Sequence, residues 1–211
     1  MEIKPITIAG CGPGALEYVT PAALRAIEAA EVLVGARRLL ENFPQSAATR
    51  IPVGADVPAA LDAMAGHVGK RRIVVLVTGD PGLCSLARPV IRRFGADACR
   101  VIPGISSVQA AFASVGVEWF GARILSAHDH APDLDPASLR GEERLAVLAG
   151  NPANAAWVDA LAAALLPTHA IYVCENLTLP DESVRRADPL LLPMNLASRS
   201  ILVFVKKEAT R

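Results

Sequence analysis

The chain has 211 residues, of which 52% are hydrophobic, and its 21 basic side chains balance 21 acidic ones. This length fits one large domain or two small ones, and the balanced charge removes any general attraction to nucleic acid or to an anionic membrane. No apolar stretch approaches the roughly 20 residues that span a bilayer. Residues 1–5 carry a charge pair unlike a signal peptide, so we expect a cytoplasmic protein.

The first half of the chain alternates predicted strands with predicted helices. Apolar runs predict strands at residues 3–9, 31–35, 73–77 and 99–102. Segments between and after them predict helices at residues 21–30, 36–43, 58–68, 83–94 and 108–115. Thr20 followed by Pro21 is typical of a helix start. This alternation predicts a parallel, doubly wound sheet.

The strand Ile73–Val77 is the segment around which the first half is organised. Its five consecutive apolar residues, four of them β-branched, fit a strand buried on both faces. Asp80 follows it, in the position where ligands of open α/β sheets gather beyond the carboxyl ends of the strands. Asp80 therefore either belongs to a small-molecule site or closes a tight turn by accepting a hydrogen bond from the amide of Gly82 or Leu83.

The second half of the chain departs from this regular alternation. Its apolar runs predict strands at residues 123–126, 145–149, 170–174 and 201–205, with one clear helix at 152–166 and a polar loop at 129–135. We therefore expect two α/β domains, residues 1–117 with the parallel sheet and residues 118–211 with a mixed sheet.

The glycine-rich segment at residues 10–14 has the appearance of a phosphate-binding loop. A Walker loop would need Lys and Ser or Thr after the glycines, and a dinucleotide-binding fingerprint would need an acidic residue at the end of the second strand. Neither is present, and Pro13 lacks an amide that a pyrophosphate would use. A glycine turn that permits the close approach of another group remains.

Polar turns also follow three later strands of the prediction. Ser106 and Ser107 follow the strand at 99–102, Asn151 follows the strand at 145–149, and Asn176 follows the strand at 170–174. A helix cap or a simple turn explains each of them alone. Their repetition at strand ends favours a ligand site.

Four segments together resemble the tetrapyrrole (corrin/porphyrin) methyltransferase family: GCGPG at residues 10–14, TGDPG at 78–82, VIPGISSVQAAF at 101–112 and CENLTLPDE at 174–182. The resemblance spans nearly the whole chain. It implies a two-domain tetrapyrrole-methylase-like fold, with S-adenosylmethionine held between the domains. It further implies C-methylation of a corrin precursor, precorrin-6Y or cobalt-precorrin-7, at C5. Many relatives have Asp after the glycine segment, where this chain has Ala15.

The resemblance also implies which residues bind the cofactor. Pro13 closes one wall of the cofactor site, residues 78–83 hold the methionine part, and residues 149–150 and 176–177 match the adenine side. The implied cofactor-binding residues are Pro13, Thr78, Gly79, Asp80, Leu83, Ser106, Ser107, Ala149, Gly150, Asn176 and Leu177.

Methyl transfer from a sulfonium needs no nucleophile from the protein, so positioning carries the catalysis. His128, which follows a strand of the second domain, is the candidate general base, or it binds a substrate carboxylate or no ligand. Cationic side chains are expected to face the carboxylates of the macrocycle, and the candidates are Arg37, Arg38 and Arg88, each of which also suits a solvated surface.

Several further expectations concern partners and alternatives. The high hydrophobic content predicts a homodimer, and we expect no protein-bound metal, because any cobalt would arrive in the substrate. The four cysteines lack a CxxC spacing and lie in or beside apolar segments, which favours buried thiols. The alternatives are another methylase of the same family, a Rossmann-type oxidoreductase, and a non-catalytic partner of a C15-methylating, decarboxylating methyltransferase.

Overall fold

The computed structural model describes residues 4–187 and 195–207. These residues form two compact units, divided between Ser106 and Ser107. The sequence-based division after residue 117 lies one helix further along the chain and stays a prediction. No helix within the described ranges combines the length and the apolar character needed to cross a bilayer.

A parallel five-stranded sheet forms the centre of the first unit, as the sequence predicts. Its strands are β1 (Ile6–Gly10), β2 (Val32–Gly35), β3 (Thr49–Pro52), β4 (Ile73–Val77) and β5 (Cys99–Ile102). They are ordered β3-β2-β4-β1-β5, so the apolar run of β4 occupies the middle of the sheet and is buried along its whole length.

Helices cover both faces of this sheet. They are α1 (Pro21–Glu28), α2 (Arg37–Glu41), α3 (Val57–Ala65) and α4 (Ala87–Phe94), with a short 3-10 helix at Leu16–Tyr18. The helices α1 and α2 pack with Leu33 and Leu76 on one face, and α3 and α4 pack with Val34 and Val75 on the other. Alternate residues of one strand therefore serve opposite cores, which confirms the doubly wound arrangement.

The helix starts follow from capping. The hydroxyl of Thr20 accepts a hydrogen bond from the amide of Ala23 at 3.2 Å, with Pro21 at the first helical position, as predicted. The predicted helix at 83–94 begins later, at Ala87, because the preceding residues form turns. The amide of Leu83 bonds to the carbonyl of Asp80, and the hydroxyl of Ser85 accepts from the amide of Ala87.

The second unit contains a mixed five-stranded sheet, which confirms that part of the predicted fold class. Its strands are β6 (Arg123–Ser126), β7 (Arg144–Ala149), β8 (His169–Glu175), β9 (Ser183–Arg186) and β10 (Ser200–Lys206). Its helices are α5 (Ser107–Ser114) and α6 (Ala155–Leu165), with 3-10 helices at Pro136–Gly141 and Pro152–Asn154. The strand order is β6-β7-β10-β8-β9, in which β6 and β7 are parallel and the other neighbours are antiparallel.

The core of the second unit lies between one face of this sheet and α6. Val147, Val173 and Phe204 meet Leu161 and Leu165 there, all of them fully or almost fully buried. The imidazole of His169 is fully buried in this unit, and its ring nitrogens lie 2.8 Å from Thr168 Oγ1 and 2.8 Å from the carbonyl oxygen of Glu142. Both nitrogens have partners, which removes the cost of burying them.

Two strands were not predicted from the sequence, and both lie at a sheet edge. In β3 only Ile51 is buried, and β9 has no buried residue. An edge strand of this kind lacks both the alternation and the continuous apolar run by which strands are recognised.

The thiols differ in burial. Cys11 and Cys174 are buried, as predicted, Cys99 is half-buried, and Cys84 is exposed, so the prediction of a buried thiol is wrong there. Burial raises the pKa of the Cys11 thiol to about 12 and, with help from the nearby charges of Glu182 and Glu175, the pKa of the Cys174 thiol to about 11.

We therefore expect one fast-reacting thiol in the folded protein. With an aromatic disulfide reagent at pH 8, Cys84 reacts first, Cys99 reacts more slowly, and Cys11 and Cys174 react only after unfolding in guanidinium, because the thiolate is the attacking form. Absorbance stopped-flow measures the phases, and Cys84→Ser is the control that removes the fast one. A fast phase that survives in Cys84→Ser contradicts this ranking.

Candidate functional site

The carboxyl ends of three neighbouring strands in the first unit converge with almost no space between their backbones. Gly10 ends β1, Gly79 follows β4 and Gly104 follows β5. A Cβ atom on Gly104 would lie 2.4 Å from the carbonyl oxygen of Gly79, and one on Gly10 would lie 2.6 Å from the amide nitrogen of Gly104. Only residues without a side chain fit here, which confirms the expectation of a close approach at the first glycine segment.

Backbone hydrogen bonds extend the pairing of β1 and β4 beyond the sheet. The amide of Gly79 donates to the carbonyl of Gly12 at 2.7 Å, the amide of Gly12 donates back at 3.3 Å, and the amide of Cys11 donates to the carbonyl of Val77 at 2.8 Å. Gly12 and Gly79 have φ values of +73° and +66°, in the region that favours glycine. Pro13 is buried directly after this bridge.

The carboxylate of Asp80 ties the loop after β4 to the loop after β5. Its Oδ1 accepts a hydrogen bond from the amide of Gly82 at 2.8 Å, and its Oδ2 accepts from the amide of Gly104 at 3.0 Å. Of the two alternatives for Asp80, the structure thus shows the tight turn, closed by the hydrogen bond from the amide of Gly82. Because both oxygens serve backbone amides, the geometry favours a positioning role for Asp80. Direct contact of Asp80 with the cofactor stays a prediction.

Other predicted residues lie on the same edge of this sheet. Thr78 directly follows β4, and its hydroxyl accepts a hydrogen bond of 2.6 Å from Nη2 of Arg38, on α2. Leu83 lies in the turn after Asp80, and Ser106, which is 7% exposed, follows the loop of Gly104. Ser107 begins α5 in the second unit. Arg37 and Arg88 are exposed near the starts of α2 and α4.

In the second unit, two asparagines connect the loop after β6 to the loop after β7. The amide group of Asn151 donates to the carbonyl of His128 and accepts from the amide of Ala153, and that of the buried Asn154 donates to the carbonyl of Ala127 at 2.7 Å. The sequence indicated a polar turn at Asn151. The sequence did not indicate the role of Asn154. Its burial identifies that role, and burial becomes visible only in the structure.

His128 itself is exposed. Its backbone is fixed on both sides, since its carbonyl accepts from Asn151 and its amide donates to Ser126 Oγ at 3.3 Å. The loop therefore places His128 at the carboxyl ends of the parallel strands β6 and β7. In residues 4–187 and 195–207 no three His, Cys, Asp or Glu side chains are grouped so as to hold a metal ion.

The remaining predicted residues lie in two loops of the second unit. Gly150, with φ of +92°, follows Ala149 at the end of β7, and a Cβ there would lie 2.4 Å from the carbonyl oxygen of Ala197. Asn176 follows β8 with φ of +49°, and its side chain donates to Asp181 Oδ2 at 2.9 Å, while Leu177 is buried beside it.

The loop from residue 175 to residue 182 is held by charged side chains. Glu175 Oε1 accepts from the amide of Ala197 at 2.8 Å, and its Oε2 accepts from Arg185 Nη2 at 3.1 Å. Glu182 accepts from the amide of Thr178, a β-branched residue with φ of +66°. Such a backbone conformation costs energy and persists only where the surroundings hold it, as this hydrogen bond does.

Comparison with known proteins gives both a family and named relatives. The family described as Tetrapyrrole (Corrin/Porphyrin) Methylases matches residues 5–188. A cobalt-precorrin-7 C(5)-methyltransferase of Salmonella typhimurium is 38% identical over 123 residues, which are 58% of this chain and 61% of the relative. The match thus spans less than two thirds of that relative. A probable cobalt-precorrin-7 C(5)-methyltransferase of Methanocaldococcus jannaschii is 28% identical over 185 residues, 85% of this chain and 87% of the relative.

Two solved structures illustrate the shared fold. A cobalamin biosynthesis precorrin-6Y methylase from Archaeoglobus fulgidus has a TM-score of 0.72 at 25% identity, over 97% of this chain and 99% of the other. A uroporphyrin-III C-methyl transferase from Thermus thermophilus, solved with S-adenyl homocysteine, has a TM-score of 0.75 at 21% identity, over 95% and 97%. The predicted fold class is thereby confirmed.

The double hydrogen bond of Asp80 predicts that Asp80→Asn lowers stability. One oxygen becomes an NH₂ group that faces a backbone N–H, so one bond is lost and two donors oppose each other. We expect the free energy of unfolding to fall by about 1–3 kcal/mol. Urea denaturation measures it, and the control is Asp62→Asn, whose carboxylate forms an exposed pair with Arg93 and which should change stability by about 0.5 kcal/mol or less. Equal stability of the two variants would contradict the role of Asp80.

Proposed function

This chain belongs to the tetrapyrrole (corrin/porphyrin) methylase family, and from that premise we propose that it is an S-adenosylmethionine-dependent C-methyltransferase. We propose as its substrate a corrin precursor of cobalamin biosynthesis, precorrin-6Y or cobalt-precorrin-7, methylated at C5. The observation that carries the proposal is the family match over residues 5–188. The named relatives support the choice of substrate and position, since two of them are C(5)-methyltransferases of cobalt-precorrin-7.

The carboxyl edge of the first sheet suits the methionine part of S-adenosylmethionine. That part carries an ammonium and a carboxylate, which need acceptors and donors respectively. The hydroxyl of Thr78 accepts from Arg38 and keeps its proton as a donor, and the carbonyls of Gly12 and Gly79 in the glycine loops, each with one amide partner, keep a second lone pair as acceptors. The close contact of Gly10, Gly79 and Gly104 keeps these loops in one conformation, and a preorganised site binds with less loss of entropy.

We assign the cofactor-binding residues by unit. In the first unit they are Pro13, Thr78, Gly79, Asp80, Leu83 and Ser106, with Asp80 acting through the loops that it ties together. In the second unit they are Ser107, Ala149, Gly150, Asn176 and Leu177. Three residues of the second set, Gly150, Asn176 and Leu177, lie in loops whose conformation is fixed. A side chain at position 150 would clash with Ala197, and the side chain of Asn176 donates a hydrogen bond to Asp181, which supports the assignment.

When bound, S-adenosylmethionine supplies a methyl group already activated on a sulfonium. The chain's task is then to hold the donor and the accepting carbon in line, which accounts for roughly 7–11 kcal/mol of barrier in well-oriented reactions. We assign to His128 the uptake of the proton that the macrocycle loses after methylation. The support for this role is the fixed backbone of an exposed imidazole, held by Asn151 and Ser126.

The proposal includes partners as well. A corrin precursor carries many carboxylates, and Arg37 and Arg88 are the exposed cations that we assign to them. A C15-methylating, decarboxylating methyltransferase is the expected functional partner, and the cytoplasm the expected location. We expect no resident metal, no nucleic acid and no membrane as partners.

Cofactor binding tests the proposal directly. Isothermal titration of the full chain with S-adenosylhomocysteine should give saturable binding, whereas NAD and ATP at the same concentrations should give none. The reason is that the glycine segment lacks the residues that phosphate recognition needs. Binding of NAD without binding of S-adenosylhomocysteine would favour the Rossmann-type oxidoreductase instead. Methyl transfer from labelled S-adenosylmethionine to the corrin precursor then tests the reaction.

We also expect a homodimer. Trp119 and Phe120 are 49% and 83% exposed, and large aromatic side chains exposed together are typical of association surfaces. Sedimentation equilibrium at micromolar concentration should give twice the chain mass of 22.1 kDa. A species of single-chain mass over that concentration range contradicts the expectation.

A further inference from the structure

The loop that joins β8 to β9 is longer than a tight hairpin turn needs. Residues 176–182 connect these neighbouring antiparallel strands, whereas two to five residues are enough for most hairpin loops. The loop is folded onto itself, since the amide of Leu179 donates to the carbonyl of Asn176 at 3.0 Å and the amide of Glu182 donates to the carbonyl of Leu179 at 2.9 Å. Its length therefore serves a defined conformation.

This conformation is strained at one residue. Of the three non-glycine residues with positive φ in residues 4–187 and 195–207, two lie in this loop: Asn176 with φ of +49° and Thr178 with φ of +66°. Asn tolerates this region of φ, whereas a β-branched residue such as Thr is a genuine outlier there. Strained residues cluster at ligand sites, where they form part of a fixed binding geometry.

Two consecutive carboxylates hold the loop in this form. Glu182 accepts a hydrogen bond from the backbone amide of Thr178, and Asp181 Oδ2 accepts one from the side chain of Asn176 at 2.9 Å. Leu177, which lies between the two held residues, is buried. The backbone of Asn176 and Leu177 is therefore fixed by carboxylates from the end of the same loop.

We propose that Glu182 is a positioning residue for the cofactor. Its carboxylate keeps Thr178 at positive φ, and this conformation sets the direction of the backbone groups of Asn176 and Leu177 just before it. The inference rests on the proposed function, which assigns those two residues to the adenine side of S-adenosylmethionine. Without the bond, the loop relaxes to conformations that suit a β-branched residue, and only a fraction of the molecules stays competent to bind.

The test removes first the hydrogen bond and then the strain. Glu182→Ala removes the acceptor, Thr178→Gly introduces a residue that adopts positive φ without steric cost, and the double variant combines both changes. Glu182→Gln keeps an acceptor oxygen of the same reach. The matched control is Asp135→Ala, which removes another bond between a carboxylate and a backbone amide of the second unit, that of Ala137 at 3.0 Å.

Each full-length variant is titrated with S-adenosylhomocysteine and with 5′-methylthioadenosine, which keeps the adenosine part and lacks the amino-acid part, and its melting temperature is measured in parallel. Glu182→Ala should weaken both ligands by the same factor, about 5- to 100-fold, which follows from the cost of an unsupported strained residue. Thr178→Gly should restore most of that affinity in the double variant, and Glu182→Gln should lose less than Glu182→Ala. Asp135→Ala should bind both ligands as the wild type does, whatever its melting temperature.

A purely structural role of Glu182 would give a lower melting temperature with unchanged affinity, which overturns the proposal while the proposed function stands. A loss of affinity that Thr178→Gly does not repair overturns it as well, because strain is then not what Glu182 holds. If Glu182→Ala does not fold, Glu182→Asp, whose carboxylate reaches one methylene less far, takes its place with the same expectations. If the wild type binds neither ligand, the proposed function fails and this inference fails with it.

Discussion

The first unit depends on one constraint, the contact of three backbones at Gly10, Gly79 and Gly104. Neighbouring strands in a sheet lie about 4.7–4.9 Å apart. The loops that follow the strands are normally kept apart by their side chains. Here a Cβ atom on Gly104 would approach the carbonyl oxygen of Gly79 to 2.4 Å, so the loops after β1, β4 and β5 meet with nothing between them. The loops that leave the sheet are thereby packed directly against each other, backbone to backbone.

That contact also explains why a carboxylate follows β4. When loops pack backbone against backbone, amides are left without ladder partners and need acceptors from elsewhere. Asp80 accepts from two such amides in two different loops, at 2.8 Å and 3.0 Å. From the sequence, this carboxylate fitted either a small-molecule site or a tight turn. Its geometry ties the loop after β4 to the loop after β5, and local sequence does not reveal that role, because Gly104 is 24 residues away.

The sequence predicts those elements of the fold in which burial requires a recognisable pattern of apolar residues. The apolar run of β4 and the Thr20-Pro21 helix start carry their structure locally, whereas β3 and β9 have at most one buried residue each and leave no periodicity. In the candidate site, the sequence predicted where strands end and that polar turns follow them, including the turns at Asp80 and Asn151. The hydrogen-bond partners of the site residues were not predicted, because they are distant in sequence. Arg38 and Thr78 are 40 positions apart, and Asn154 and Ala127 are 27 positions apart. Only the fold brings these pairs together.

The proposed methyl donor could also alkylate the protein itself, and the burial of Cys11 protects one thiol from that reaction. Cys11 lies between Gly10 and Gly12, within the glycine segment assigned to the cofactor site. A thiolate there would compete for the methyl group, because the thiolate is the reactive form of cysteine. Burial raises its pKa to about 12, despite the opposing effects of a backbone hydrogen bond and the charge of Arg38. At pH 8 only about one molecule in ten thousand then carries the thiolate. The close packing that fixes the loops thus also keeps the Cys11 thiol protonated, whereas Cys84, in the loop after β4, is exposed.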